Sequence, residues 1–184
     1  QAPAPSTVIR ISQTYMFIGF RFKANGKVVY LNLERETMKR ESQGVAVKIK
    51  IAVIGVGALG QHHARYYADF AARGTVDFVG LCDEDSLRAK AIADNHDTRV
   101  LKNASEIVEF ADAVSIVTPT STHFVLAKEF LEKGRHILVE KPITDEPEQA
   151  AELVELARAN NCVLQVGHVE RFNPVFDYLQ QAAG

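Results

Sequence analysis

The chain has 184 residues, and its 21 Lys and Arg side chains nearly balance its 23 Asp and Glu side chains, which gives a formal charge of −2. This balance excludes a polybasic protein that binds nucleic acid or a membrane surface through bulk charge. With 47% hydrophobic and 24% charged residues, the composition is typical of a globular protein with a buried core and excludes a disordered, collagenous or disulfide-rich chain.

Residues 1–47 have a pattern unlike the rest of the chain. Alternating apolar and basic residues around Asn25-Gly26 predict a β-hairpin over residues 18–31, because Asn-Gly favours a type I′ turn. A lone hairpin is marginally stable in water, so we expect a poorly ordered extension, with Met38 as a candidate natural start. Because the segment lacks a secretory signal pattern and no apolar stretch approaches the roughly 18 residues of a membrane span, a cytoplasmic location is expected.

From Lys48 onward, apolar segments of strand length alternate with segments of helical periodicity. The predicted strands are 49–54, 76–82, 113–117, 136–139 and 163–166. The predicted helices are 58–72, 85–93, 122–133 with Gly134 as its stop, one that begins with Asp145 as N-cap, and 174–181. This order predicts an α/β fold over residues 48–167, a Rossmann-type doubly wound parallel sheet with helices on both faces.

The first functional motif follows the first predicted strand and opens the first predicted helix. Its residues are Gly55, Val56, Gly57, Ala58, Leu59 and Gly60. Gly55 permits a tight turn, Gly57 lets the backbone approach a pyrophosphate, and Gly60 lets the helix pack closely on the strand. Unpaired N–H groups at the helix N-terminus favour phosphates. The motif therefore predicts a dinucleotide site, against the alternative of a glycine-rich turn without a ligand.

An acidic residue at the end of the second strand completes this pattern. Asp83 lies 23 positions after Gly60, where a carboxylate accepts hydrogen bonds from the adenosine ribose. Because Glu84 and Asp85 follow it, three successive acids would repel a 2′-phosphate, which favours NAD over NADP. Arg88 is a nearby cation that would weaken this preference. The alternative is that Asp83 merely caps the next helix.

The ends of the later predicted strands carry further motifs, which follow the glycine motif in a distinctive order. These motifs are Thr118-Pro119 with His123, Glu140-Lys141-Pro142, Val166-Gly167-His168, and Arg171-Phe172-Asn173-Pro174. In this combination the chain resembles the Gfo/Idh/MocA family of sugar and polyol oxidoreductases over about residues 48–178. Glu-Lys-Pro at the end of a strand is the most specific part of the resemblance.

The resemblance implies an NAD-dependent oxidoreductase and a role for several of these residues. Glu140 would hold the nicotinamide-side ribose. Lys141 would be the catalytic residue, beside the nicotinamide and hydrogen-bonded to the substrate hydroxyl being oxidised. An ammonium group stabilises a developing alkoxide, which agrees with this role. The residues implied to line the middle of the cofactor are Thr118, Pro119 and His123.

Two other features concern the substrate and the turn after Lys141. The segment 166–174 is similar to that of family members acting on nucleotide sugars, which makes a sugar or nucleotide sugar the implied substrate. His168 and Arg171 are the candidate substrate residues, with a hinge salt bridge as the equal alternative for Arg171. Pro142 would fix the turn after Lys141, where a cis peptide bond is an option.

The remaining histidines and cysteines suggest no separate chemistry. No group of His, Cys, Asp and Glu has the spacing of a metal site. Cys82 and Cys162 lie in separate apolar segments and are expected to be reduced and buried. The histidines interpreted as helix-face, core or strand residues are His62, His63 and His136.

Members of the family carry a second α/β domain, which supplies further catalytic residues and often mediates oligomerisation. Only 17 residues follow Gly167, whereas a domain needs at least about 50. Residues 168–184 are therefore expected to begin a missing C-terminal domain. The chain is then expected to bind NAD without turning over substrate, and to form homo-oligomers only with that domain. The alternative is a non-enzymatic NAD-binding sensor or interaction module.

Overall fold

A computed structural model describes residues 21–24, 27–30, 48–169, 173, 175, 178, 179 and 182. In the N-terminal segment, β1 (Arg21–Ala24) and β2 (Lys27–Tyr30) pair as antiparallel strands. The predicted turn at Asn25-Gly26 and most of the predicted helix 174–181 lie outside the described residues.

The predicted alternation of strands and helices is present from Ile49 onward. The elements are β3 (Ile49–Ile54), α1 (Gly60–Ala72), β4 (Val76–Cys82), α2 (Ser86–Asn95), α3 (Ala104–Phe110), β5 (Ala113–Ile116), α4 (Thr120–Glu132), β6 (His136–Val139), α5 (Pro147–Ala159) and β7 (Leu164–Val166). Strands β3 to β7 form one parallel sheet in the order β4-β3-β5-β6-β7. The predicted α/β parallel sheet is therefore confirmed.

The sheet separates two hydrophobic cores, because successive side chains of a strand point to opposite faces. In β3, Ile51 and Val53 face one core, and Ala52 and Ile54 face the other. The first core contains buried residues of α1 and α2, and the second contains buried residues of α3, α4 and α5. The helices thus cover both faces of the sheet, as the sequence predicts.

The most informative differences from the sequence prediction of the helices are the N-cap of α5 and an additional helix, α3. Helix α5 is not capped by Asp145: its N-cap is Glu146, which is extended, and the helix begins at Pro147. The reason is steric, since proline disfavours the helical conformation in the residue before it. The second difference is α3, which the sequence analysis did not predict. Its N-cap Asn103 accepts a hydrogen bond from the N–H of Glu106 at 2.9 Å.

Gly134 ends α4 as predicted, with a φ of +71° and an N–H that donates to the Leu131 carbonyl at 3.0 Å.

Both cysteines are free; Cys82 is buried as expected, and Cys162 is only half-buried. Among the described residues, every helix is too short or too polar to span a lipid bilayer.

Candidate functional site

The candidate site lies at the carboxyl edge of the sheet, where the strand order reverses. Strand β3 has β4 on one side and β5 on the other, and ligands of such sheets bind in the crevice at this point. The register places the last residues of neighbouring strands opposite each other, from Cys82 through Ile54 and Ile116 to Val139 and Val166. The residues that follow these strand ends therefore share one edge: Gly55, Asp83, Val117, Glu140 and Gly167.

The three glycines of the loop between β3 and α1 differ in their surroundings. Gly55 has a φ of +83°, and a Cβ there would lie 2.5 Å from the Val117 carbonyl oxygen. A Cβ on Gly60 would collide with the carbonyl oxygen of Gly55. A Cβ on Gly57 would meet no atom within 4 Å. The packing of the loop thus requires Gly55 and Gly60, whereas Gly57 borders an open space that a ligand can enter.

The helix that follows this loop begins without a side-chain cap. The N-cap of α1 is Leu59, which makes no side-chain hydrogen bond to the first turn. By contrast, Asp85 caps α2 by accepting hydrogen bonds from the N–H groups of Leu87 and Arg88 at 3.1 and 3.0 Å. The N–H groups of Gln61 and His62 already donate to the carbonyls of Gly57 and Leu59 at 3.1 and 2.9 Å. The N–H groups just before them, from Gly57 to Gly60, lie at the positive end of the helix dipole, which suits an anion such as a phosphate.

Asp83 is held at the end of β4 by four hydrogen bonds. Its Oδ2 accepts from the N–H of Val56 at 2.7 Å, and its Oδ1 accepts from the N–H of Asp85 at 2.9 Å. Arg88 donates from Nη2 to Oδ1 at 2.6 Å and from Nε to Oδ2 at 3.3 Å. Burial opposes the charged form, but Arg88 and the two backbone N–H groups lower the pKa of the carboxyl below its ordinary value.

The alternative role of Asp83 as the cap of α2 is wrong, because Asp85 occupies that position. The Asp83 side chain instead ties the glycine loop to the end of β4 and is only 6% exposed. A carboxylate has about four lone-pair positions, and the four contacts use them. A ribose can reach this carboxylate only if the side chain of Arg88, which is 45% exposed, moves away.

Glu140 is a buried carboxylate at the end of β6. Its Oε2 accepts from the N–H of Lys141 at 3.2 Å, and its Oε1 lies 3.4 Å from Nε2 of His63. The ring of His63 continues to Ser115, with 2.7 Å between Nδ1 and Oγ. Hydrogen bonding to His63 lowers the pKa of Glu140 against the opposing effect of burial. We call Glu140, His63 and Ser115 the buried polar chain.

The buried polar chain is not predicted by any sequence motif, and His63 reads from the sequence as a helix-face or core residue. Two signals were available. Ser115 is a polar residue in the middle of an apolar, fully buried strand. His63 lies four residues before the buried Tyr67, which places both on the face of α1 that packs on the sheet.

Lys141 follows Glu140 in the loop after β6, and His123 lies near the start of α4. The side chain of Lys141 is exposed, and the Lys141-Pro142 peptide bond is cis. His123 is buried, with Nδ1 2.9 Å from the Pro142 carbonyl oxygen and Nε2 2.8 Å from the Thr118 carbonyl oxygen. The ring therefore connects the loop after β5 to the loop after β6.

The two candidate substrate residues are less informative. His168 follows β7 and is exposed, and Arg171 lies outside the described residues. Within the part of the chain that the structure describes, no group of three or more His, Cys, Asp and Glu could hold a metal ion.

The depressed pKa of Glu140 predicts a loss of stability in acid. The ordinary pKa of a glutamate is 4.5 here, and the folded state holds it lower through His63, the Lys141 N–H and the charge of Lys141. The contribution to the free energy of unfolding is therefore present above pH 4.5 and lost as the pH falls through the lower folded-state pKa. Urea denaturation from neutral to acidic pH measures this loss. It should be smaller in Glu140→Gln and unchanged in Glu109→Gln, whose side chain is exposed. Equal acid sensitivity of both variants would contradict the prediction.

The chain is similar in sequence to a family profile and to characterised proteins. A family profile described as "Oxidoreductase family, NAD-binding Rossmann fold" (Gfo/Idh/MocA) matches residues 49–168. A UDP-N-acetylglucosamine 3-dehydrogenase of Acidithiobacillus ferrooxidans is 39% identical over 136 residues, which are 74% of this chain and 42% of that protein. A scyllo-inositol 2-dehydrogenase (NAD(+)) of Bacillus subtilis is 31% identical over 134 residues, which are 70% of this chain and 38% of that protein.

Solved structures agree with the sequence comparison. The structure of the Acidithiobacillus ferrooxidans protein superposes with a TM-score of 0.66, with 74% of this chain and 44% of that chain covered. The structure of GenD2 from gentamicin A biosynthesis, in complex with NAD, is 28% identical and has a TM-score of 0.61, with 72% and 37% covered. This chain spans about two fifths of the length of these relatives.

Proposed function

Because the chain belongs to the Gfo/Idh/MocA family of oxidoreductases, we propose that it is the cofactor-binding part of an NAD-dependent dehydrogenase. The proposed reaction moves a hydride between NAD and a hydroxyl-bearing carbon of a sugar or nucleotide sugar. The observation that supports this most directly is the open space at Gly57, next to the uncapped N-terminus of α1 at the reversal of strand order.

The residues at this edge of the sheet fit the adenosine and pyrophosphate parts of NAD. The backbone N–H groups from Gly57 to Gly60 would hold the pyrophosphate, because the backbone at Gly57 is open and the helix end is electropositive. Asp83 would hold the adenosine ribose once Arg88 moves away. Glu84 and Asp85 lie beside it and are exposed, so a 2′-phosphate meets several negative charges. We therefore propose NAD as the preferred cofactor.

The residues after β5 and β6 fit the nicotinamide part. NAD supplies the hydride acceptor when it is bound. The buried carboxylate of Glu140 would accept hydrogen bonds from the nicotinamide-side ribose, and the exposed ammonium group of Lys141 would donate to the substrate hydroxyl and stabilise its developing negative charge. Thr118 and Pro119 would line the middle of the cofactor. We propose that His123 supports them, since both of its ring nitrogens face protein carbonyl oxygens.

Cofactor binding tests this proposal in the chain of 184 residues. Titration calorimetry with NADH and NADPH is expected to show saturable binding of both, with the lower dissociation constant for NADH. The absence of saturable binding by either dinucleotide would refute the cofactor site. Tighter binding of NADPH would leave the site in place but overturn the preference for NAD.

A second experiment separates a dehydrogenase from a cofactor sensor of the same fold. The chain spans 42% of the length of the Acidithiobacillus relative, so activity is measured on the protein as its gene encodes it. NADH formation with a UDP-sugar or an inositol, lost in Lys141→Met while NADH binding is retained, is the result expected of a dehydrogenase. NADH binding without turnover of any such substrate would favour a sensor.

A further inference from the structure

His63 is buried one turn into α1, beside the exposed His62. Its two ring nitrogens contact different elements, because Nδ1 faces Ser115 in β5 and Nε2 faces Glu140 at the end of β6. The side chain of His63 is 9% exposed, that of Glu140 is 10% exposed, and Ser115 is fully buried. A buried carboxylate needs hydrogen-bond donors to offset the loss of water, and Glu140 has the Lys141 N–H at 3.2 Å and Nε2 of His63 at 3.4 Å beside it.

Glu140 determines which nitrogen of His63 donates, because an ionised carboxylate only accepts hydrogen bonds, and Ser115 is able to complement that tautomer. The neutral imidazole carries one N–H, whereas a serine hydroxyl can both donate and accept. When the Ser115 hydroxyl donates to Nδ1, the ring proton is left on Nε2, where it points toward Oε1 of Glu140. The order of donation along the buried polar chain is then Ser115 to His63 to Glu140.

Gly167 limits the position of the same carboxylate from the other side. A Cβ on Gly167 would lie 2.5 Å from Oε1 and 3.0 Å from Oε2 of Glu140. Oε1 is thus confined between the His63 ring and the backbone after β7. The contacts of Glu140 with His63 and with the Lys141 N–H leave room for further hydrogen bonds, since each carboxylate oxygen has about two lone-pair positions.

We propose that His63 is a positioning residue, oriented by Ser115, that fixes the carboxylate of Glu140 for the ribose on the nicotinamide side. This inference rests on the proposed function, because it assumes that Glu140 binds the cofactor. It adds two residues that act through Glu140 without touching the cofactor. Their loss should weaken ligands that contain the second ribose and spare ligands that contain only the adenosine half.

The experiment compares two substitutions of His63 with NADH and ADP as probes. The amide of asparagine lies near the position of Nδ1 and cannot reach Glu140, whereas the amide of glutamine lies near the position of Nε2. His63→Asn is expected to weaken NADH binding about tenfold, the size of one charge-assisted hydrogen bond, and to leave ADP binding unchanged. His63→Gln is expected to restore NADH binding. The matched control His62→Gln, on the exposed neighbour, should change neither ligand.

Three results would overturn the inference. They are an equal loss of ADP and NADH binding in His63→Asn, unchanged NADH binding in that variant, and failure of His63→Gln to restore it. Ser115→Ala provides a second variant if His63→Asn does not fold, with an expected NADH loss of about threefold and unchanged ADP binding; equal loss of both ligands would again contradict the inference. If the unsubstituted chain binds ADP but not NADH, or binds neither, the proposed function itself fails.

Discussion

Gly60→Ala is expected to lower the stability of the chain and to abolish NADH binding, whereas Gly57→Ala is expected to abolish binding alone. The new methyl group of Gly60→Ala would collide with the Gly55 carbonyl oxygen, which is backbone and cannot rotate away. Overpacking of this kind costs roughly 3 kcal/mol. For a chain of this size that cost corresponds to a melting temperature about 6–12 °C lower.

The methyl group of Gly57→Ala would project into open space, so the fold should tolerate it. Alanine also restricts the unfolded chain more than glycine does, so the melting temperature should be unchanged or slightly higher. The methyl group would, however, fill the space proposed for the pyrophosphate. Thermal denaturation and NADH titration of both variants distinguish the two effects. Wild-type melting of Gly60→Ala would show that the loop can relax, and wild-type NADH binding by Gly57→Ala would remove the main support for the proposed site.

Asp83→Asn is expected to shift the cofactor preference toward NADP. The substitution removes the charge that would accept hydrogen bonds from the adenosine ribose, and hydrogen bonds to charged groups contribute roughly 1.5–3 kcal/mol. The dissociation constant for NADH should therefore rise about tenfold or more. NADPH binding should fall less, because the guanidinium of Arg88 is released from Asp83, keeps Asp85 at 3.4 Å as an ionic partner, and can turn to a 2′-phosphate, which it can bind through two parallel hydrogen bonds.

Variants of the neighbouring charges test this explanation. Glu84→Gln removes an exposed acid next to Asp83 and should change the NADH to NADPH ratio much less than Asp83→Asn. Arg88→Gln removes the group that occupies the carboxylate, so NADH should bind as well as before or better, and NADPH more weakly. The interpretation fails if Arg88→Gln weakens NADH binding and leaves NADPH binding unchanged.

The parts of the fold that depend on local sequence could be predicted. The β-branched segment Ile49–Ile54 and the glycine loop after it specify a strand and a tight turn through properties of single residues. Gly134 ends α4 for the same reason. The N-cap of α5 was misplaced because Pro147 acts on the residue just before it. Helix α3 is only seven residues long, too short for a clear periodic pattern.

The candidate site was predictable only where its residues stand in one motif or at a strand end. Glu140 and Asp83 directly follow apolar strands. The contact between His63 and Ser115 joins residues 52 positions apart, and it exists because α1 packs on the face of the sheet to which Ser115 points. No local pattern specifies such a contact. The pairing of Asp83 with Arg88 also depends on how the first turn of α2 is oriented, which the sequence alone does not define.

The position of Gly167 against Glu140 has a consequence for protein engineering. The glycine loop, Asp83 and the Glu-Lys-Pro turn all lie before or directly after β6. A graft of this nucleotide-binding module into another protein that kept only these motifs would therefore end there. The backbone after β7 is nevertheless one wall of the pocket that confines the Glu140 carboxylate. A functional graft must therefore extend through Gly167, although that residue is not part of any of these motifs.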